Sequence, residues 1–120
     1  MLDMKKRELK VIYDSRKSFY KKANIEILSE WNELHATIKK INLYSYNTLV
    51  CSIEYIGTTE ERFYFLYNRD MISCTTLRHI KEFLQQLFYC RGKDLTKKDI
   101  LKNSAIKYNV VTDEFIPLPF

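Results

Sequence analysis

A chain of 120 residues, 46% hydrophobic and 29% charged with only two Gly and two Pro, has the composition of one folded domain and excludes a chain that is disordered as a whole. At this length a hydrophobic core can form without a disulfide framework or a structural metal. The formal net charge is +5, and all of the excess lies in residues 1–22, where eight Lys or Arg face three Asp or Glu; residues 23–120 carry twelve of each.

That asymmetry predicts a basic N-terminal arm, residues 1–10, either a frayed helical turn or disordered, of the kind that touches phosphate or an acidic protein surface when it is not simply solvated. The first seven residues, MLDMKKR, lack the apolar stretch of a secretory signal, and no run approaches the roughly 20 apolar residues of a membrane span. Cys51, Cys74 and Cys90 are odd in number and form no C-x-x-C pair, which fits free thiols in a reducing compartment. The expectation is a cytoplasmic protein with no membrane partner.

In chain order, Leu9–Tyr13 is a short β-prone run, and Tyr13–Ser18 reads as a turn because Asp14 and Ser15 can accept from nearby backbone N–H groups. Phe19–Leu28 reads as a strand, with Ala23, Ile25 and Ile27 alternating against Asn24 and Glu26. A polar break follows at Ser29–Glu33. His35–Tyr46 is a second strand whose imperfect phase suggests a bulge near Lys39 and Lys40. Tyr46–Thr48 is a tight turn into the strongly β-prone Leu49–Ile56. Gly57–Glu61 is a hairpin loop, and Arg62–Tyr67 is the aromatic return strand.

The clearest helix spans about residues 75–89. Leu77, Ile80, Phe83, Leu84, Leu87 and Phe88 fall on one stripe, with Arg78, Lys81, Glu82, Gln85 and Gln86 on the other side and Thr75 or Thr76 as the cap. Gly92 suits a stop after it. Thr96 and Asp99 have capping-box spacing and open a short second helix, about 96–103. Ile106–Thr112 is a last strand at a sheet edge, where Val110 and Val111 could pair two copies into a homodimer. Residues 113–120 form an extended, proline-broken tail. The pattern predicts a single α+β domain: an antiparallel sheet of about four to five strands with both helices packed on one face.

Motifs of catalysis are sparse. His35 and His79 have no second ligand at metal-binding spacing, two glycines cannot make a phosphate loop, and no cysteine stands beside a histidine in sequence. No cofactor and no catalytic residue is expected, although a metal-free nuclease built from Tyr, His, Lys and Arg would leave no fixed spacing. The informative pattern is basic residues interleaved with tyrosines. Tyr13, Arg16, Lys17, Tyr20, Lys21 and Lys22 stand close together, and Tyr44 and Tyr46 flank a turn. Arg62, Tyr64, Tyr67 and Arg69 add a third group, and Arg78 and Lys81 lie on the polar side of the long helix. Such surfaces pair phosphates or carboxylates with their cations and stack bases on their rings; tyrosine and arginine also dominate protein–protein hot spots.

Three segments carry a resemblance: YDSRKSFYKKA (13–23), LYSYNT (43–48) and SCTTLRHIKEFLQQ (73–86). In this order they resemble a family of small proteins carried on plasmids, conjugative elements and phages of low-GC Gram-positive bacteria. The family more often has Gly where this chain has Lys21. That setting includes inhibitors of type II CRISPR systems, so the resemblance implies an anti-CRISPR protein, acting in a bacterial cytoplasm on Cas9 or its guide RNA complex. The positive charge disfavours DNA mimicry, which needs an acidic surface. The alternatives are a nucleic-acid-binding accessory or regulatory protein of a mobile element and a small metal-free RNA-cleaving enzyme.

Overall fold

The computed structural model describes residues 2–31, 37–57, 59–89 and 95–118, the side chains of residues 2, 3, 31 and 37 excepted. His35, Cys90 and Gly92 lie outside the described residues. Ten elements follow in order: β1 (Leu2–Glu8), β2 (Ala23–Trp31), β3 (Thr37–Ser45), β4 (Thr48–Ile56), β5 (Glu61–Leu66), a 3-10 turn (Arg69–Met71), α1 (Cys74–Leu87), α2 (Lys97–Lys102), β6 (Ala105–Asn109) and β7 (Glu114–Pro117). The fold is α+β, as the sequence suggested. The sheet, however, is an antiparallel meander of seven strands in the order β1-β2-β3-β4-β5-β6-β7, not four or five.

The two extra strands sit at the sheet edges. Residues 2–8 are no arm: they pair along their whole length with β2, from Leu2 opposite Glu30 to Glu8 opposite Asn24. Their basic run hides the strand because an edge strand can carry charge on both faces. Residues 114–117 pair with β6, with Phe115 opposite Tyr108, and Pro117 is tolerated at the end of an edge strand. β6 is therefore an interior strand, and Val110 and Val111 lie in the turn beyond it, so they offer no edge for a homodimer.

Cross-strand rows build the core. Ile25, Leu43, Cys51 and Leu66 are successive partners from β2 to β5, and Ile27, Ile41, Ile53, Tyr64 and Ile106 form the next row. Alternation puts both rows on one face. On that face α1 lays Leu77, Ile80, Phe83 and Leu84, with Phe88 just beyond its last residue, all buried. The register shifts between Leu43 and Tyr44, leaving Val50 as the extra residue of β4; this bulge lies several residues beyond Lys39 and Lys40. α1 is capped at its start by Ser73, whose hydroxyl accepts from Thr76 N–H (3.1 Å), rather than by Thr75 or Thr76. It ends at Leu87, where Arg62 Nη1 donates to the carbonyls of Leu87 (3.1 Å) and Phe88 (3.3 Å). In α2 the capping box is complete: Asp99 N–H donates to Thr96 Oγ1 (3.1 Å) and Thr96 N–H to Asp99 Oδ2 (3.1 Å). Among the described residues no helix is long and apolar enough to cross a membrane.

Candidate nucleic-acid interface

Between β1 and β2 the chain makes a closed loop, residues 9–22, whose base is sealed by Leu9 N–H donating to the Ala23 carbonyl (2.9 Å). Leu9 and Phe19 are buried and plug the loop into the core. α1 fastens the rest. Glu82 Oε1 accepts from the backbone N–H groups of Tyr13 (2.9 Å) and Asp14 (2.7 Å), while Gln86 Nε2 donates to the Lys10 carbonyl and to Glu82 Oε2, both at 2.7 Å. Glu82 is only 1% exposed, although its helix position places it on the polar side. The loop that covers it supplies the donors that a buried carboxylate requires. Asp14 in turn accepts from Arg16 N–H (2.9 Å) and pairs with Arg78 (3.5 Å).

The far end of the loop is a two-residue turn. Lys22 N–H donates to the Phe19 carbonyl (3.0 Å), and Tyr20 and Lys21 both adopt left-handed φ, 52° and 64°. The β3–β4 hairpin repeats this shape: Ser45 pairs with Thr48 around Tyr46 and Asn47, at φ 52° and 66°. Both have the type I′ signature of positive φ at both central positions. The two turns are joined, because Tyr46 N–H donates to the Lys22 carbonyl (2.9 Å). Each therefore carries a tyrosine at its first central position, and the Lys22 ammonium lies 5.5 Å from the centre of the Tyr46 ring.

His79 lies beneath both turns and is 1% exposed. Its ring centre is 4.5 Å from that of Phe19 and 5.8 Å from that of Tyr46, and Nδ1 is 2.8 Å from Ser45 Oγ. Ser45 Oγ also meets Thr76 Oγ1 at 3.0 Å. Burial lowers the His79 pKa to about 4; Asp14 works against the shift, and the charges of Arg16 and Lys22 add to it. A neutral imidazole beside a hydroxyl is the first ingredient of nucleophilic catalysis. Here both groups are buried, and the geometry assigns them to positioning the turns. Cys51 is also buried, which pushes its thiol pKa well above the usual value. Among the described residues no three His, Cys, Asp or Glu side chains come together to hold a metal ion.

What reaches solvent decides the chemistry of this surface. Tyr20 is 72% exposed, Tyr13 58% and Tyr46 48%, and among the described residues these are the only aromatic side chains classed as exposed. All three belong to the loop and the adjoining turn. Around them Lys10, Arg16, Lys17, Lys21 and Lys22 are exposed, and none is in an ion pair among the described residues. By register Lys5 and Arg7 lie on the same side of the sheet, beside Ile27 and Ile25.

The family model that matches this chain covers residues 7–103, and it describes a family of unknown function, DUF8033. The chain belongs to DUF8033. Comparison with curated proteins and with solved structures gives no match. In this DUF8033 member the matched stretch takes in the whole loop, both tyrosine turns and α1, and ends before β6.

The structure brings most of the expected site residues together. Tyr20, Lys21, Lys22 and Tyr46 form the paired turns, with Arg16 and Lys17 on the same loop. Tyr13, Arg78 and Lys81 line a polar cleft of about 210 Å³ between the loop and α1, floored by Glu82. Tyr44 does not join them: alternation puts it on the opposite face from Leu43, where its hydroxyl lies 3.4 Å from Glu26 Oε1. The 62–69 group is structural. Arg62 caps α1, Tyr64 is fully buried, Tyr67 OH meets Ser52 Oγ at 2.9 Å, and Arg69 Nη2 donates to Ser104 Oγ at 2.7 Å. The residues missed from sequence are Glu82 and His79, which hold the surface from below. Their one signal was spacing, since i and i+3 lie on the same side of a helix.

Proposed function

We propose that the protein is a binding protein of a mobile genetic element that inhibits type II Cas9 by docking this basic, tyrosine-bearing surface on the enzyme or its guide RNA complex. One observation supports a binding role above the rest: every exposed aromatic side chain among the described residues lies on the 9–22 loop or the adjoining Tyr46 turn, and the same loop carries Lys10, Arg16, Lys17, Lys21 and Lys22 exposed and in no ion pair among the described residues. A stability-driven surface has no reason to collect both. Cations without carboxylate partners favour an anionic partner, and exposed rings favour one that offers flat groups to stack on. The choice of Cas9 rests on the resemblance of segments 13–23, 43–48 and 73–86.

The test is co-purification with a type II Cas9, with and without guide RNA, at about 150 mM salt and again at high salt, with the guide checked on a denaturing gel. A complex that forms with intact guide, and is lost when Arg16, Lys17, Lys21 and Lys22 are all changed to Glu in a folded variant, is the expected result. Retention of inhibition by that variant overturns the assignment of the surface. A shortened guide would favour an RNA-cleaving enzyme instead. Absence of any complex, with direct binding to RNA or DNA, would favour an accessory protein of the element.

A further inference from the structure

The paired turns carry a more specific signature than positive charge. A tyrosine in left-handed conformation is disfavoured, because Cβ crowds the backbone, and glycine, asparagine or aspartate normally fills such positions. This chain places tyrosine there twice, at Tyr20 and Tyr46, in two turns bonded to each other through Tyr46 N–H and the Lys22 carbonyl. The stability sacrificed is not recovered by packing at Tyr20, whose ring is the most exposed of the three. Paired outliers of this kind at a surface point to a ligand.

Rings and lysines alternate through these turns: Tyr20, Lys21 and Lys22 in one, and Tyr46 with the Lys22 ammonium over its ring in the other. Phosphate recognition alone needs the lysines and not the rings. Bases inside a duplex are already stacked on each other and cannot reach a ring at a turn tip, whereas unpaired bases can be splayed onto one. The scaffold is also pre-organised: Glu82 and Gln86 clamp the start of the loop and Phe19 on His79 clamps its end, so little freedom remains to be lost on binding.

We infer that the twin tyrosine turns bind unpaired nucleotides of a single-stranded nucleic acid, Tyr20 and Tyr46 stacking on bases while Arg16, Lys17, Lys21 and Lys22 neutralise the adjoining phosphates. The inference rests on the nucleic-acid component of the function proposed above. On binding, Lys22 leaves the Tyr46 ring for a phosphate and frees that face for a base.

Fluorescence anisotropy with labelled oligouridylate and oligothymidylate of roughly 12 nucleotides, and with a blunt-ended RNA duplex of roughly 12 base pairs, tests this without Cas9. The full chain is expected to bind the single strands at least about tenfold more tightly than the duplex, with affinity falling steeply as salt rises. Tyr20→Asn and Tyr46→Asn keep a residue that tolerates the left-handed turn while removing the ring; each should weaken single-strand binding about tenfold, and Tyr20→Phe and Tyr46→Phe should restore it. A preference for oligouridylate over oligodeoxyuridylate, which differ in the 2′-hydroxyl alone, identifies the sugar, and either one supports the inference. Equal affinity for the blunt-ended duplex and the single strand, or unchanged binding by the folded Asn double variant, overturns it. Formation of a Cas9–guide complex without oligonucleotide binding would sink this inference alone. Oligonucleotide binding without any Cas9 complex would sink the choice of Cas9 alone.

Discussion

Ser45 Oγ lies 2.8 Å from His79 Nδ1, and both side chains are buried beneath the two tyrosine turns. The contact joins the end of β3 to α1 at the point where Phe19 and Tyr46 pack on the imidazole. This buried, neutral histidine makes the platform sensitive to acid. Its folded pKa of about 4 lies below the ordinary 6.5, so between those values the unfolded chain binds a proton that the folded chain does not. Stability from this group is full above pH 6.5 and is lost as pH falls through 4, by about 3 kcal/mol in all. Urea denaturation at pH 7 and pH 4.5 should show this loss, and in His79→Gln the pH dependence should be smaller. Equal slopes in both proteins would refute the assignment.

Glu82 binds the loop to the helix through the N–H groups of Tyr13 and Asp14. Glu82→Ala removes the Oε1 acceptor of both bonds, and hydrogen bonds to a charged group contribute about 1.5–3 kcal/mol each. The expected outcome is a loss of at least about 2 kcal/mol, together with faster hydrogen exchange across residues 10–18 while the β3 and β4 amides stay protected. Uniform loss of protection would show instead that the loop is integral to the cooperative core.

Lys21 occupies a left-handed position with φ 64°, where the absence of a Cβ makes glycine the least strained residue. Lys21→Gly relieves the Cβ clash of about 1 kcal/mol but loses part of it to the greater freedom of glycine in the unfolded chain. A net gain of about 0.5 kcal/mol is expected, read as a higher denaturation midpoint, along with weaker binding to an anionic partner. A less stable variant would mean that the Lys21 side chain contributes contacts that offset the backbone cost.

Tyr64 is fully buried, and its hydroxyl has no hydrogen-bond partner among the described residues. Desolvation without a compensating bond is costly, so removing the oxygen relieves it. Tyr64→Phe should be neutral or stabilising by up to about 1 kcal/mol in thermal or urea denaturation. A clear loss of stability would reveal a partner for the hydroxyl in solution.

The interior strands and both helices were legible because each carries its own signal: β-prone runs with an alternating apolar face in β2 to β5, an apolar stripe in α1, and the Thr96–Asp99 capping pair in α2. β1 and β7 carried no such signal. An edge strand is recognised by the partner it pairs with, and Lys5, Lys6, Arg7 and Pro117 read locally as arm and tail until β2 and β6 supply the backbone bonds. The same limit applied to the site. Sequence proximity found Tyr13, Arg16, Lys17, Tyr20, Lys21 and Lys22, since they share one loop, but it also recruited Tyr44 and Tyr64, whose side chains face away from that surface or into the core.

The sequence by itself determined the composition of the candidate surface, its charge and its rings, because those are properties of residues adjacent along the chain. Only the tertiary structure decided which of them reach solvent and what holds them there. Glu82 becomes a buried clamp only once a loop 68 residues away in sequence lays its N–H groups against it, and the two tyrosine turns become one platform only when β3 brings Tyr46 to the Lys22 carbonyl. Burial and pairing are relations between distant segments, and no local pattern of residue types encodes them.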